Sequence, residues 1–205
     1  MSVATTTVAE IEIPISERGP SPRKVIVGYG FWLFLLSDII LFSALFAAYA
    51  VLSGRTANGP GGVQLFHRDN VLVETGCLLL SSFTCALMSL AIEVRRRDLM
   101  VLGAALTLAL GAAFLWLELT EFAGMIAHGA GPARSAFLSA FFALVGMHGL
   151  HVSIGLCWLV SMVAQVFSLG WRPMVIVRLA CFSLFWHALD IVWIGVFTIV
   201  YLGAH

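Results

Sequence analysis

The sequence predicts an all-α polytopic membrane protein, a bundle of five transmembrane helices. Three observations carry that prediction. The 205 residues are 60% hydrophobic and only 11% charged, whereas a soluble domain is about a quarter charged. Mean hydropathy is +1.00. Five apolar runs are each long enough, at about 1.5 Å per helical residue, to cross a hydrocarbon core of about 30 Å. Formal net charge is zero, so no basic surface for nucleic acid is expected.

Residues 1–27 read as a flexible cytoplasmic arm. Glu10, Glu12 and Glu17 stand where a signal peptide needs an apolar core, and Pro14, Pro20 and Pro22 interrupt the rest. Residues 28–205 read as a single membrane domain. The first span, near 28–52, carries Asp38 halfway along its apolar run. An ionised acid there costs several kcal/mol unless it is paired or hydrated, so Asp38 is expected against protein or a wet cavity. The connection SGRTANGPGGVQLFHRD leads to the second span, near 70–93. EVRRRD separates it from the third, near 99–122. HGAGPAR precedes the fourth, near 135–167, and SLGWRP precedes the fifth, near 174–203. The fourth opens with small residues four apart, Ala136 with Ala140 and Ser139 with Ala143, which allows close helix approach.

Lys and Arg fall unevenly on the two sides. Arg18, Arg23, Lys24, Arg95, Arg96, Arg97, Arg172 and Arg178 share one side; Arg55, Arg68 and Arg134 share the other. By the positive-inside rule the N-terminus is cytoplasmic and the C-terminus periplasmic.

Several further polar groups lie within the spans. Glu74 is placed near the outer end of the second, and Glu118 and Glu121 near the outer end of the third. The last two are three apart and share a helix face. They read as an interfacial acidic pair or as a contact to a neighbouring subunit or lipid head group. His148 and His151 share a face of the fourth helix, as His187 and Asp190 do on the fifth. Histidines at matching depth could ligate a b-type haem. Against that, Phe185, Trp186 and Trp193 crowd the fifth helix, and Asp190 offers His187 a partner one turn away. A His/Asp cluster that pins helices together is the preferred reading, with a proton-conducting chain as the alternative. Cys77, Cys85, Cys157 and Cys181 lie in apolar runs, form no CxxC pair, and read as small packing residues. Neither Glu-x-x-His, HExxH nor GxSxG occurs. The residues alone indicate no catalytic, metal-binding or cofactor-binding site.

The same segments carry a resemblance. WLFLLSDIILFSALFAAYAVL, LVETGCLLLSSFT, GPARSAFLSAFFALVGMHGLHVSIGL and FSLFWHALDIVWIGVFTIVYL resemble four helices of subunit III of the haem–copper oxidases. The HGLH stretch at 148–151 followed by WH-x-x-D-x-x-W is the most specific part. The match covers residues 28 to 203 and lies nearest the bo-type quinol-oxidase branch, whose subunit III has five helices where the cytochrome c branch usually has seven. His148, His151, Trp186, His187, Asp190 and Trp193 match the family directly. Glu74 matches a V-E-T site, and Glu121 an S-E-Y-like site. Asp38 departs from the pattern, standing where many members have Glu.

The resemblance implies a non-catalytic subunit of a proton-pumping ubiquinol oxidase that reduces oxygen to water, in the bacterial inner membrane. Haem and copper would belong to subunit I, with subunits II and IV as further partners and phospholipid bound. The ten polar and aromatic residues Asp38, Glu74, Glu118, Glu121, His148, His151, Trp186, His187, Asp190 and Trp193 would then be structural or lipid-contact groups. The rival readings are subunit III of a cytochrome c oxidase, a free-standing proton or small-solute channel, and a haem-bearing membrane anchor.

Overall fold

The computed structural model describes residues 23–57 and 68–203. Five long helices account for most of them: α1 Arg23–Leu52, α2 Arg68–Glu93, α3 Arg97–Ala127, α4 Ala136–Leu169 and α5 Pro173–Val196. α5 runs on into a wider π-helical stretch, Phe197–Leu202. All five are long and apolar enough to cross a membrane.

The sequence explains where the helices start and stop. The arm expected over residues 1–27 lies outside the described residues as far as residue 22. From Arg23, directly after the last of three prolines, the chain is already helical. VIVGYG holds no proline, and the helix runs through Gly28 and Gly30, so the first helix begins before its expected start at residue 28. α3 likewise runs five residues past its expected end at residue 122, because FAGMIA lacks proline and the chain turns only at Gly129 (φ +76°). Ser135 starts α4, its hydroxyl accepting the Leu138 N–H at 3.2 Å. Gly170 ends α4 with φ +68°. Arg97 adds a bond from Nη2 to the Val166 carbonyl at 3.3 Å, a cation at a helix C-terminus. Pro173 sits in the first turn of α5, where its missing N–H costs nothing.

Helices consecutive in the chain run antiparallel. One end of the bundle, the near end, holds the turn Val94–Arg96 between α2 and α3 and the Gly170–Arg172 turn between α4 and α5. The far end holds Arg55, His128 and the π-helical end of α5. α4 and α5 occupy the middle. α2 and α3 pack on them from one side, and α1 packs on α4 and α5 from another, with at most marginal contact to α2 and α3.

Close approach depends on small residues, as expected where lipid removes the hydrophobic drive between helices. A Cβ at Gly103 would stand 2.9 Å from the Met88 Cβ, which locks α3 to α2. Gly111 and Gly155, on α3 and α4, clasp the Trp186 ring of α5; a Cβ on either would approach that ring within 3.0 and 2.9 Å. Trp186, Trp193, Phe114, Phe141 and Phe182 fill the interior. Large apolar side chains such as Ile40, Trp116 and Ile191 face outward, which suits a helix bundle in lipid.

Candidate functional site

Three polar groupings lie inside this apolar bundle. The first is a seam between α2 and α5. Thr75, Ser82 and Ser89 recur every seventh residue on α2, and Trp186 and Trp193 are seven apart on α5, so each set forms a stripe along its helix. Trp193 Nε1 donates to Thr75 Oγ1 at 3.1 Å, and Trp186 Nε1 donates to Ser81 Oγ at 3.1 Å. Each accepting hydroxyl passes its own proton back to its helix, Thr75 to the Val71 carbonyl at 2.8 Å and Ser81 to that of Leu78 at 2.7 Å. Ser82 Oγ meets His187 Nδ1 at 2.7 Å, and Ser89 Oγ donates to Ser183 Oγ at 2.9 Å. Thr84 and Thr107 extend the network to α3 at 2.8 Å. Asp190 lies close enough to feel both Ser82 and His187. The sequence pairs His187 with Asp190, but its short contact is the hydroxyl of Ser82 on another helix.

The second grouping joins α1 to α4. Asp38 Oδ1 stands 3.8 Å from His151 Nε2. His151 Nδ1 donates to the Met147 carbonyl at 2.8 Å. That bond places a proton on Nδ1 and leaves Nε2 facing the Asp38 carboxyl. Phe42 of α1 packs on the same imidazole at 5.2 Å. His148, fully buried, turns the other way. Its Nε2 donates to the Leu189 carbonyl at 3.3 Å, and its ring lies among Trp193 at 5.1 Å, Phe114 at 5.6 Å and Phe42 at 6.5 Å. The histidines expected as one cluster are thus divided: His148 and His151 reach α5 and α1, whereas His187 reaches α2.

The third grouping is acidic and lies toward the far end. Glu74 of α2 is 1% exposed and Glu118 of α3 is 3% exposed. Glu121 is half-buried. Glu118 feels both of the others. The Glu118 carboxyl lies directly on Gly149 of α4, where a Cβ would come within 2.7 Å of Oε1. The structure thus brings Glu74 to the Glu118–Glu121 pair and takes Glu118 out of the interface.

Sequence reasoning passed over Thr75, Ser81, Ser82, Ser89, Thr107 and Gly149. The seven-residue spacing of the hydroxyls on α2, matched by that of the tryptophans on α5, is the signal that could have found the seam. At the near end an open groove of about 750 Å³ runs between α2 and α5. Arg95, Glu93 and Trp171 stand among its lining residues, and His187 and Ser183 also line it. Among the described residues no group of three His, Cys, Asp or Glu is arranged to hold a metal ion.

Known proteins resemble this chain in sequence. The sequence profile of the family described as cytochrome c oxidase subunit III matches residues 19–205. The cytochrome bo(3) ubiquinol oxidase subunit 3 of Pseudomonas aeruginosa is 51% identical over 174 residues, covering 85% of this chain and 83% of that protein. The Pseudomonas putida protein of the same name is 51% identical over 173 residues, covering 84% of each chain. The quinol oxidase subunit 3 of Bacillus subtilis is 44% identical over 175 residues, covering 84% of this chain and 85% of that one.

Proposed function

The chain belongs to the cytochrome c oxidase subunit III family, and from that premise we propose that it is subunit III of a proton-pumping ubiquinol oxidase. One observation carries the reading: 51% identity, across more than four-fifths of both chains, to proteins named as subunit 3 of cytochrome bo(3) ubiquinol oxidase. The complex oxidises ubiquinol and reduces oxygen to water, with haem and copper in subunit I and with subunits II and IV as further partners. Electrons do not pass through this chain. It sits in the bacterial inner membrane with its N-terminus in the cytoplasm, which places the arginine-rich near end inside, and its C-terminus in the periplasm.

Its contribution is mechanical. The α2–α5 seam and the Asp38–His151 contact hold a firm bundle, and its apolar outer faces and near-end groove hold phospholipid and the catalytic subunit. Asp38, His148, His151, Trp186, His187, Asp190 and Trp193 serve this structural role. Affinity purification of the chain in mild detergent tests the assignment. A haem-bearing, ubiquinol-oxidising assembly is expected to come with it; a chain that purifies without a haem-bearing partner refutes the reading. Asp38→Asn and His187→Ala should weaken assembly or shorten turnover lifetime and leave the haem spectrum unchanged. Loss of haem from an otherwise assembled complex would contradict a purely mechanical role.

A further inference from the structure

The near-end groove between α2 and α5 has a charged mouth and an apolar length. Ile92, Met174, Val177, Ala180 and Leu184 line most of it, and its volume of about 750 Å³ lies in the range of a ligand pocket. Ser89, Ser183 and His187 also line it farther in, but they are turned to partners. Ser89 Oγ donates to Ser183 Oγ at 2.9 Å, and His187 Nδ1 meets Ser82 Oγ at 2.7 Å. The mouth differs. Glu93 and Arg95 stand there with opposite charges. The ion pair found among the described residues is Asp38–His151, so Glu93 and Arg95 do not neutralise each other.

The backbone of Arg95 supplies a second, independent clue. It lies in the left-handed region, φ +55°, in the turn that closes α2. There the Arg95 N–H bonds the Ile92 carbonyl at 3.1 Å, and the Arg96 N–H bonds that of Ala91 at 2.9 Å. Such a turn is usually made by glycine, which adopts it without strain. The end of α4 does use a glycine, Gly170 at φ +68°. At the end of α2 the chain holds a strained arginine instead, and that arginine lines the groove. Trp171, from the turn before α5, lines the same mouth, an aromatic at the level where membrane helices meet lipid head groups.

The depth fits one leaflet. From Glu93 to Ser82, which touches His187, α2 rises about 16 Å at about 1.5 Å per residue, about half of a hydrocarbon core of about 30 Å. We infer that the groove is a binding site for an amine-headed phospholipid of the phosphatidylethanolamine type, with its phosphate on Arg95, its ammonium on Glu93 and one acyl chain laid along the groove toward His187. The inference deepens the lipid-holding role proposed above and rests on it. An acidic phospholipid would suit Arg95 and be repelled by Glu93. A quaternary ammonium lacks the N–H donors that a primary one offers the Glu93 carboxylate. An uncharged isoprenoid chain would leave both charges unmatched, and free phosphate would leave the apolar walls bare.

Photolabelling of the assembly purified with the chain, held in lipid nanodiscs, tests it. The probe is phosphatidylethanolamine with a diazirine in its acyl chain, and the label is mapped by mass spectrometry. Label is expected on groove residues such as Val177 and Ala180. Unlabelled phosphatidylethanolamine should displace the probe at about one-tenth the concentration that phosphatidylglycerol needs, the size of one charge-assisted hydrogen bond. Glu93→Gln should abolish that preference. Arg95→Gly should lower labelling about tenfold and leave the thermal stability of the bundle unchanged or higher, because glycine relaxes the turn. An arginine kept only for structure would not separate the two readouts. The lipid competition needs no variant, so it decides the matter even where a substitution prevents assembly. Equal displacement by the two lipids, undiminished labelling of Arg95→Gly, or no label in the groove would each overturn the inference. Haem content is read on the same sample. Labelled chain without haem refutes the oxidase reading alone, and a haem-bearing assembly without label refutes the lipid site alone.

Discussion

The seam between α2 and α5 and the acidic trio beside it are both polar, both buried, and both built partly on α2, yet they are made in opposite ways. Along the seam, the tryptophans, serines and threonines meet as neutral donors and acceptors, and Asp190 Oδ1 alone is left buried without a hydrogen bond. Trp193 finds Thr75 and Trp186 finds Ser81, and each hydroxyl returns its proton to its own helix. In the trio four carboxyl oxygens have no hydrogen bond among the described residues. A matched pair of neutral groups holds two helices together at modest gain, about 0.6 kcal/mol on average inside a membrane. Unmatched acids hold nothing together, and burying them opposes stability. A bundle that carries both has placed its polar groups for two different purposes.

Substitutions can break or sharpen that contrast. The largest effect is expected at Trp186, which fills the seam and is clasped by Gly111 and Gly155. Trp186→Ala should cost about 3–5 kcal/mol of bundle stability, the usual range for emptying a large buried aromatic site, read by denaturant titration in detergent. Next comes Gly149→Val. Its new side chain must displace either α4 or the Glu118 carboxyl, so a loss of about 1–3 kcal/mol is expected. Combining it with Glu118→Ala should restore part of that loss, since the smaller residue makes room; no restoration would mean that α4 meets something other than Glu118 here. Smaller still is the seam's own hydrogen bonding. Trp193→Phe and Thr75→Val, made singly and together, should show a coupling of about 0.6 kcal/mol in a double-mutant cycle. The smallest change is expected for Glu118→Gln, which keeps the shape and removes only the ionisable group. Its stability should stay within about 0.5 kcal/mol of the parent or rise. A loss as large as that of Trp186→Ala would place Glu118 among the load-carrying contacts and erase the contrast.

The parts of this fold that repeat along one helix were legible in the sequence, and those that depend on two helices were not. Five apolar runs gave five helices in the expected order, because length and hydropathy suffice to define a span. The ends moved at Arg23 and Ala127, since a helix continues until a proline or a turn stops it, whatever the polarity of its last residues. Pairings were another matter. Asp190 stands one turn from His187 and is the partner a single helix suggests, but the short contact is Ser82, far off in the chain. Glu118 and Glu121 look interfacial when counted along α3. Only the approach of Gly149 and Glu74 from two other helices shows that Glu118 is enclosed.

The isolation of α1 from α2 and α3 bears on the order of biogenesis. α1 finds its partners, α4 and α5, only after three more helices have been made. Asp38 must wait for His151, an interval of roughly ten seconds at about 5–20 residues per second. During that time α1 sits in the bilayer with a bare acid and nothing to cover it. A chaperone or insertase that shelters a half-made helix is therefore needed most for the first span, and truncation after α3 should leave that span the most readily degraded part of the chain.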